Sequence, residues 1–251
     1  MYKSYPETVF IGQKIIYLPS CHSTNDVAAD YLGEEGVVVI TDDQTAGRGQ
    51  RGNRWETHPG ENLTVSVVLR PSFLRVEDQF RLSIAVSLAV ADFLSGYLPE
   101  GISVKWPNDL YFGDRKLGGI LIENTLSGAY MASAVVGIGL NINQLAGLPP
   151  TASSVRTVTG KEYLLEPMLH NLCMHLEGRY LQLRNGGDAG QKRSYLNRLF
   201  RYQEWHPFRD ESGHVFNGMI AGIADNGRLA IQKEDNSVTY YGIKEVSFVI
   251  V

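Results

Sequence analysis

Nine consecutive residues, Gly47-Arg48-Gly49-Gln50-Arg51-Gly52-Asn53-Arg54-Trp55, combine three glycines, three arginines and an indole. Glycine lets the backbone approach a ligand closely, and the guanidinium presents fixed, permanently charged donors that match phosphate or carboxylate oxygens. The segment reads as a phosphate-handling loop, with an exposed Gly-Arg hairpin as the alternative. Its Gly47-x-Gly49-x-x-Gly52 spacing fits the dinucleotide fingerprint only formally. The loop runs through Pro59 and Gly60 into a strand-like segment at Asn62 and opens no helix that could meet a pyrophosphate. No Lys-Ser or Lys-Thr follows the last glycine, and neither His-Arg-Asp nor Asp-Phe-Gly occurs, so Walker and kinase sites are set aside.

Three further constellations carry chemistry. Lys105-Trp106-Pro107-Asn108-Asp109 exposes an amide and a carboxylate beside a proline, suited to a hydrated magnesium ion or a nucleotide. Lys116-Leu117-Gly118-Gly119 puts a cation beside bare backbone on which a ligand can lie, whereas Lys105 serves equally well as a solvated strand-end lysine. In Val135 to Asn143, alternation sends Val136, Ile138, Leu140 and Ile142 into a core and leaves Gly137, Gly139, Asn141 and Asn143 as an open shelf, unless the glycines mark a bulge. Ser23-Thr24-Asn25-Asp26 is first of all a good helix start, whose hydroxyls and amide also suit a small polar ligand group.

Positioning these groups requires a mixture of helices and strands. Caps and periodicity predict helices over Val27 to Leu32, Val76 to Leu98, Pro167 to Leu183 and Gly190 to Arg201. Strands are predicted over Gly36 to Thr41, Asn62 to Arg70, Ile102 to Trp106, Asp109 to Phe112, Leu117 to Asn124 and Val135 to Ile142. From Trp205 onward only short β-like runs remain, His214 to Ala221, Arg228 to Lys233 and Val238 to Tyr241, with Asn226-Gly227 as a turn. The strands cluster between helices, which predicts an α+β unit over 1–203 and a small C-terminal β-barrel or sheet over 204–251.

Composition limits what this assembly can be. The 251 residues are 43% hydrophobic, enough for a substantial core, and the net charge of −4 argues against a general nucleic-acid binder, so the arginines around Arg48 are a local device. The two cysteines, Cys21 and Cys173, form no disulfide or zinc pattern, and the histidines show no ligand spacing. The N-terminus lacks a signal pattern and no apolar run reaches bilayer length, so a cytoplasmic protein with no membrane partner is expected.

Ser23-Thr24-Asn25, Gln44-Thr45-Ala46-Gly47-Arg48-Gly49, Lys105-Trp106-Pro107-Asn108-Asp109, Lys116-Leu117-Gly118-Gly119-Ile120 and Gly137-Ile138-Gly139-Leu140-Asn141, in this order, closely resemble the biotin protein ligases, also called biotin–[acetyl-CoA-carboxylase] ligases. The resemblance implies a catalytic domain related to class II tRNA synthetases, with a mixed sheet flanked by helices. It implies two steps: biotin and MgATP give biotinyl-5′-AMP, and a lysine of a biotin carboxyl carrier domain of acetyl-CoA carboxylase or another biotin-dependent carboxylase then takes the biotinyl group. Ser23, Thr24, Asn25, Gln44, Gly47, Arg48, Gly49, Gln50, Gly118 and Gly119, with Lys116, would line the biotin side. Arg48, Arg51 and Arg54 would neutralise the triphosphate, Lys116 would bridge biotin carboxylate and α-phosphate, and Lys116, Arg48 and Arg51 form the expected catalytic set. Trp55, Asn108 and Asn141 belong to the ATP side, and Asp109 to Mg2+.

The pattern departs at Gln50, where many relatives carry arginine and where the charge helps retain the adenylate. The Ser23 motif comes early, so the resemblance is to the short form without a DNA-binding domain, acting without DNA as a monomer or homodimer. Two rivals stand beside this reading: a lipoate ligase, with related catalytic logic, and a noncatalytic nucleotide- or RNA-binding module.

Overall fold

The computed structural model describes residues 2–3, 7–56 and 58–249, and the side chain of Arg51 lies outside that description. The chain first runs β1 (Ile15–Cys21), α1 (Thr24–Ala29), β2 (Val38–Gln44) and β3 (Leu63–Leu69), then α2 (Gln79–Ser95), β4 (Ile102–Lys105), β5 (Asp109–Phe112), β6 (Arg115–Ser127) and β7 (Tyr130–Leu140). Three helices follow, α3 (Val155–Thr159), α4 (Leu165–Arg184) and α5 (Asp188–Asn197). The C-terminal strands are β8 (Trp205–Asp210), β9 (Val215–Ile223), β10 (Leu229–Lys233), β11 (Val238–Tyr241) and β12 (Val246–Phe248).

The first seven strands form one sheet in the order β1-β2-β3-β7-β6-β5-β4, with β1 and β2 parallel and the other pairs antiparallel. This is the expected mixed α+β sheet. Alternation along its strands sorts the side chains between two faces. Val38, Ile40, Val65, Val67, Val136, Ile138 and Leu140 point into the main core, which the buried stripes of α2 and α4 cover, among them Leu82, Leu88 and Phe93, and Met168, Leu172 and Leu176. On the opposite face Val37, Val39, Val68 and Val135 pack with Ala28 of α1. α1 spans only six residues, so it covers part of that face and leaves the remainder, towards β6 and β5, as an open floor.

Several elements were not expected. β1 carries Pro19, which periodicity alone assigns to a loop; an edge strand tolerates it because one side of its backbone needs no ladder partner. α3, β8 and β12 are too short for a periodic signal. Gly96 ends the second helix near Ser95, short of the expected Leu98.

Strands β8 to β12 make a five-stranded antiparallel sheet in the order β11-β10-β9-β8-β12, in the place where a small barrel was expected. Its Phe248 and Phe208 join Phe200 and Tyr111 of β5 in an aromatic seam with centroids 5.1 to 5.8 Å apart. The connection before β8 hydrogen-bonds to edge strand β4, with Val104 N–H donating to Arg198 O and Phe200 N–H to Val104 O. Among the described residues no helix is long and apolar enough to cross a membrane.

Candidate functional site

The open floor is built from two rungs across the sheet. Thr64, Gly139, Gly119 and Asp109 stand side by side across β3, β7, β6 and β5. Two residues further along, Ser66, Gly137 and Leu121 repeat the pattern. The glycines are required by what lies on them: a Cβ on Gly139 would enter the Trp55 indole, one on Gly137 would meet the Asn25 amide, and one on Gly119 would come within 3.2 Å of Asp109 Oδ1 and 3.5 Å of Lys116 Nζ. A cavity of about 390 Å3 stands on this floor, within the range of small-molecule sites. Gly137→Ala is expected to displace Asn25 and cost about 1–3 kcal/mol through overpacking. Thermal unfolding would read this as a midpoint lower by roughly 3–10 °C, and an unshifted midpoint would mean Asn25 has room to move.

The glycine loop forms one wall as a small hairpin. Gly49 N–H donates to Asn53 O at 2.7 Å and Trp55 N–H to Gly47 O at 3.0 Å, with a 3-10 turn at Gln50–Gly52. Gly52 turns it in the left-handed region at φ +86°, a conformation that favours glycine. Gly47 permits the close crossing, because a Cβ there would meet Trp55 O and Gln44 Nε2. The loop returns Trp55 to the floor, and its buried indole N–H finds no acceptor among the described residues.

α1 forms the wall opposite Lys116, with Ser23, Thr24 and Asn25 all buried. Gln44 Oε1 accepts from Thr24 N–H at 2.8 Å, which turns the Gln44 amide nitrogen toward the glycine loop. Ser66 Oγ stands 2.8 Å from Thr24 Oγ1 and donates to Asn25 Oδ1 at 2.6 Å, and Asn25 Nδ2 donates to Glu123 Oε2 at 2.6 Å.

Lys116 is fixed by its backbone and its charge partner. Its N–H donates to Thr151 O and its carbonyl accepts from Ser153 N–H, while Nζ lies 2.7 Å from Asp109 Oδ1. Asn108 braces the same strand, with Nδ2 donating to Ile120 O at 2.5 Å. Lys105 also borders the cavity, its Nζ donating to Tyr111 Oη at 3.1 Å and lying 5.2 Å above the Phe248 ring. Burial pushes its ammonium below the usual lysine range, with Lys116 and Arg201 adding to the effect and Asp109 opposing it. The last wall is the C-terminal segment of Ile243 and Lys244 and strand β12, Val246, Ser247 and Phe248.

Most of the expected residues therefore meet around one cavity: Ser23, Thr24, Asn25, Gln44, Arg48, Gly49, Gln50, Arg54, Trp55, Asn108, Asp109, Lys116 and Gly119. Three stand elsewhere. Gly118 faces away from the floor, where a Cβ would run into Gly139 O and Leu140. Gly47 supports the loop crossing. Asn141 is buried and donates from Nδ2 to Ser153 O at 3.1 Å, so it holds the segment that pins Lys116. The backbone of Arg51 lies in the 3-10 turn of the loop, and its side chain is outside the described part. Arg48 does not point its charge at the floor alone: Nη1 donates to Asp26 Oδ1 at 2.6 Å and Nη2 to Glu123 at 3.2 Å. Sequence reading missed Glu123, Ser66, Thr64 and the C-terminal segment. For Glu123 a signal existed, since it falls on the same strand face as Gly119 and Leu121.

Comparison with known proteins places this arrangement among known ones. The model of the biotin/lipoate A/B protein ligase family matches residues 17–141. The chain is 33% identical over 208 residues to a biotin–[acetyl-CoA-carboxylase] ligase of Mycobacterium tuberculosis, covering 81% of this chain and 76% of that protein. With a biotin–[acetyl-CoA-carboxylase] ligase of Paracoccus denitrificans it shares 32% over 206 residues, covering 77% and 83%. Among solved structures, a biotin protein ligase from Aquifex aeolicus in complex with biotin and ATP superposes with a TM-score of 0.78 at 25% identity, covering 94% of this chain and 98% of that one.

Proposed function

The chain belongs to the biotin/lipoate A/B protein ligase family, and from that membership we infer that it is a biotin protein ligase. It activates biotin with ATP to biotinyl-5′-AMP and transfers the biotinyl group to a lysine of a biotin carboxyl carrier domain. In the first step the biotin carboxylate oxygen bonds to the α-phosphorus and pyrophosphate leaves. In the second the carrier amine attacks the acyl carbon, AMP leaves, and the amine gives up its proton. The observation that carries the reading is the glycine floor with Lys116 at its edge, because it offers a flat bed bare of side chains ending in a cation, paired with Asp109, where carboxylate and phosphate must meet.

On this reading Thr24, Gln44 and the buried Ser23 hold the biotin head group, with Asn25 as a strut beside it. Gly119, Gly137 and Gly139 lie under the ligand, and the Trp55 indole N–H supplies a donor on the nucleotide side. Lys116 stabilises charge at the reacting carboxylate and phosphate, and Arg48, Arg51 and Arg54 line the triphosphate approach. Asp109 is the one carboxylate bordering the cavity, and no cluster of three acidic, histidine or cysteine groups suited to a metal occurs among the described residues. That donor set fits a magnesium ion carried in on ATP, with Asp109 as its protein contact. We further propose a catalytic unit over 1–203 and a barrel-like C-terminal module over 204–251, in a cytoplasmic enzyme that works without DNA or membrane as a monomer or homodimer.

The test is incubation with a carrier domain, MgATP and either biotin or lipoate, with acceptor mass as the readout. A biotinyl gain is expected; a lipoyl gain alone would assign the chain to the lipoate branch of the family. Gln50 adds a second expectation. Gln50→Arg restores a charge-assisted contact worth roughly a tenfold change in retention, so biotinyl-adenylate should leave the enzyme more slowly. Unchanged release in Gln50→Arg, together with unchanged release in Arg51→Ala, would remove loop charge as the cause of retention.

A further inference from the structure

Glu123 is a strand residue of β6 whose carboxylate reaches two separate elements. One oxygen accepts from Asn25 Nδ2 of α1 at 2.6 Å, and both lie 3.2 Å from Arg48 Nη2 of the glycine loop. Asp26, next to Asn25, takes the other arm of the same guanidinium at 2.6 Å. The loop is thus tied at its base to α1 and to the sheet through one arginine and two carboxylates. Asn25 is committed at both ends of its amide, to Ser66 and to Glu123, so its orientation over Gly137 is inherited from this cluster.

We propose that Glu123 and Asp26 are positioning residues that latch the glycine loop through Arg48, and that Glu123 couples the closed loop to the head-group wall through Asn25. The inference rests on the ligase reading for its consequence, adenylate retention, while the latch itself is independent of that reading. Its strength suits a lid. All three side chains are between two-fifths and just over one-half exposed, so each ion pair is worth little in water and the loop can open for substrate. Two carboxylates on one guanidinium, plus the Asn25 contact, still select a single closed geometry. Arg48 then serves the phosphate side in two ways, by lining the cavity and by anchoring the loop.

Two measurements test this on the full-length protein. Trypsin cleavage at the loop arginines, without ligand, should be about fivefold faster in Glu123→Gln and in Asp26→Asn, and faster again in the double variant. With biotin, MgATP and carrier domain, the amount of free biotinyl-adenylate escaping per transferred biotin should rise by a similar factor in each. Glu123→Asp, which retains the charge but is too short to reach both partners, should fall between wild type and Glu123→Gln. Asp26 is more than half exposed, so its variant cannot owe the effect to misfolding, and a wild-type unfolding midpoint for it serves as the control. Cleavage at the wild-type rate in both single variants would overturn the latch. Faster cleavage with no rise in adenylate escape would overturn its coupling to the site. A wild-type protein that forms no adenylate would instead count against the ligase reading, and the cleavage arm would still decide the latch.

Discussion

Lys116→Ala is expected to lower the rate of biotinyl-adenylate formation by about 10²–10³-fold, the usual loss when a preorganised group facing developing charge is removed. The site leaves little to replace it. Lys105 also borders the cavity, but it is turned toward Tyr111 and the Phe248 ring, and its burial weakens it as a cation. The loss has a second component. Lys116 Nζ is the 2.7 Å partner of Asp109, so the alanine variant leaves that carboxylate without its ion-pair partner as the triphosphate arrives. Lys116→Arg should recover only part of the rate, because the planar guanidinium is bulkier than an ammonium and the present Nζ already sits over Gly119, 3.5 Å from where a Cβ there would stand. The Lys116 side chain is about one-third exposed, so folding should be nearly unaffected, which a thermal midpoint would verify. Pyrophosphate release measured without acceptor isolates the step; a variant retaining more than about a third of the wild-type rate would falsify the assignment of Lys116 to it.

Glu177→Ala should be a strongly damaging single change to the fold outside the site. Glu177 is 6% exposed on α4, and its carboxylate accepts three consecutive backbone N–H groups, from Val9 at 2.7 Å, Phe10 at 2.8 Å and Ile11 at 2.9 Å. Truncation strands the buried Ile11 donor and leaves those of Val9 and Phe10 half-buried without their acceptor, at about 3 kcal/mol in all. The chain around them cannot easily withdraw, since Ile11 is fully buried and Gly12 passes close to Cys173 Sγ. An unfolding midpoint lower by roughly 6–12 °C follows for a chain of this size. Glu177→Gln keeps one acceptor oxygen and should lose clearly less. Equal midpoints for wild type and Glu177→Ala would show that the segment is held by packing alone.

The element types around the site were legible because they rest on local signals. Periodicity located the long helices near α2 and α4, and alternation in Val135 to Ile142 separated core residues from the glycine shelf. Asn226-Gly227 announced the turn between β9 and β10. The short elements were not legible, since strands such as β12, with three residues, carry too little pattern. Among site residues, motif order was enough to gather Ser23, Gln44, Lys116 and Asn108, while the assignments of Gly118 and Asn141 to the ligand were not what the geometry favours. In Lys116-Leu117-Gly118-Gly119 the sequence gives no means of choosing which glycine faces the cavity. Leu110 and Tyr111 of β5 pair with Gly118 and Lys116, so Leu117 is the extra residue of a bulge in β6, which shifts the side on which Lys116 emerges.

The sequence by itself determined the chemistry available: a cation at Lys116, glycines where a flat ligand can lie, a loop rich in arginine, and the order of motifs that marks the family. Each follows from residue type and short-range spacing. Tertiary structure decided how these groups are used. It aligned Thr64, Gly139, Gly119 and Asp109 into one rung, brought Glu123 to Arg48 across 75 positions of sequence, and closed the cleft with the C-terminal segment 243–248. Cross-strand register and the docking of one sheet on another are set by burial summed over the whole core, which no single segment contains. The arginine loop thus declared a charged lid in its own residues, but the direction in which Arg48 spends its charge was fixed by a glutamate on a distant strand.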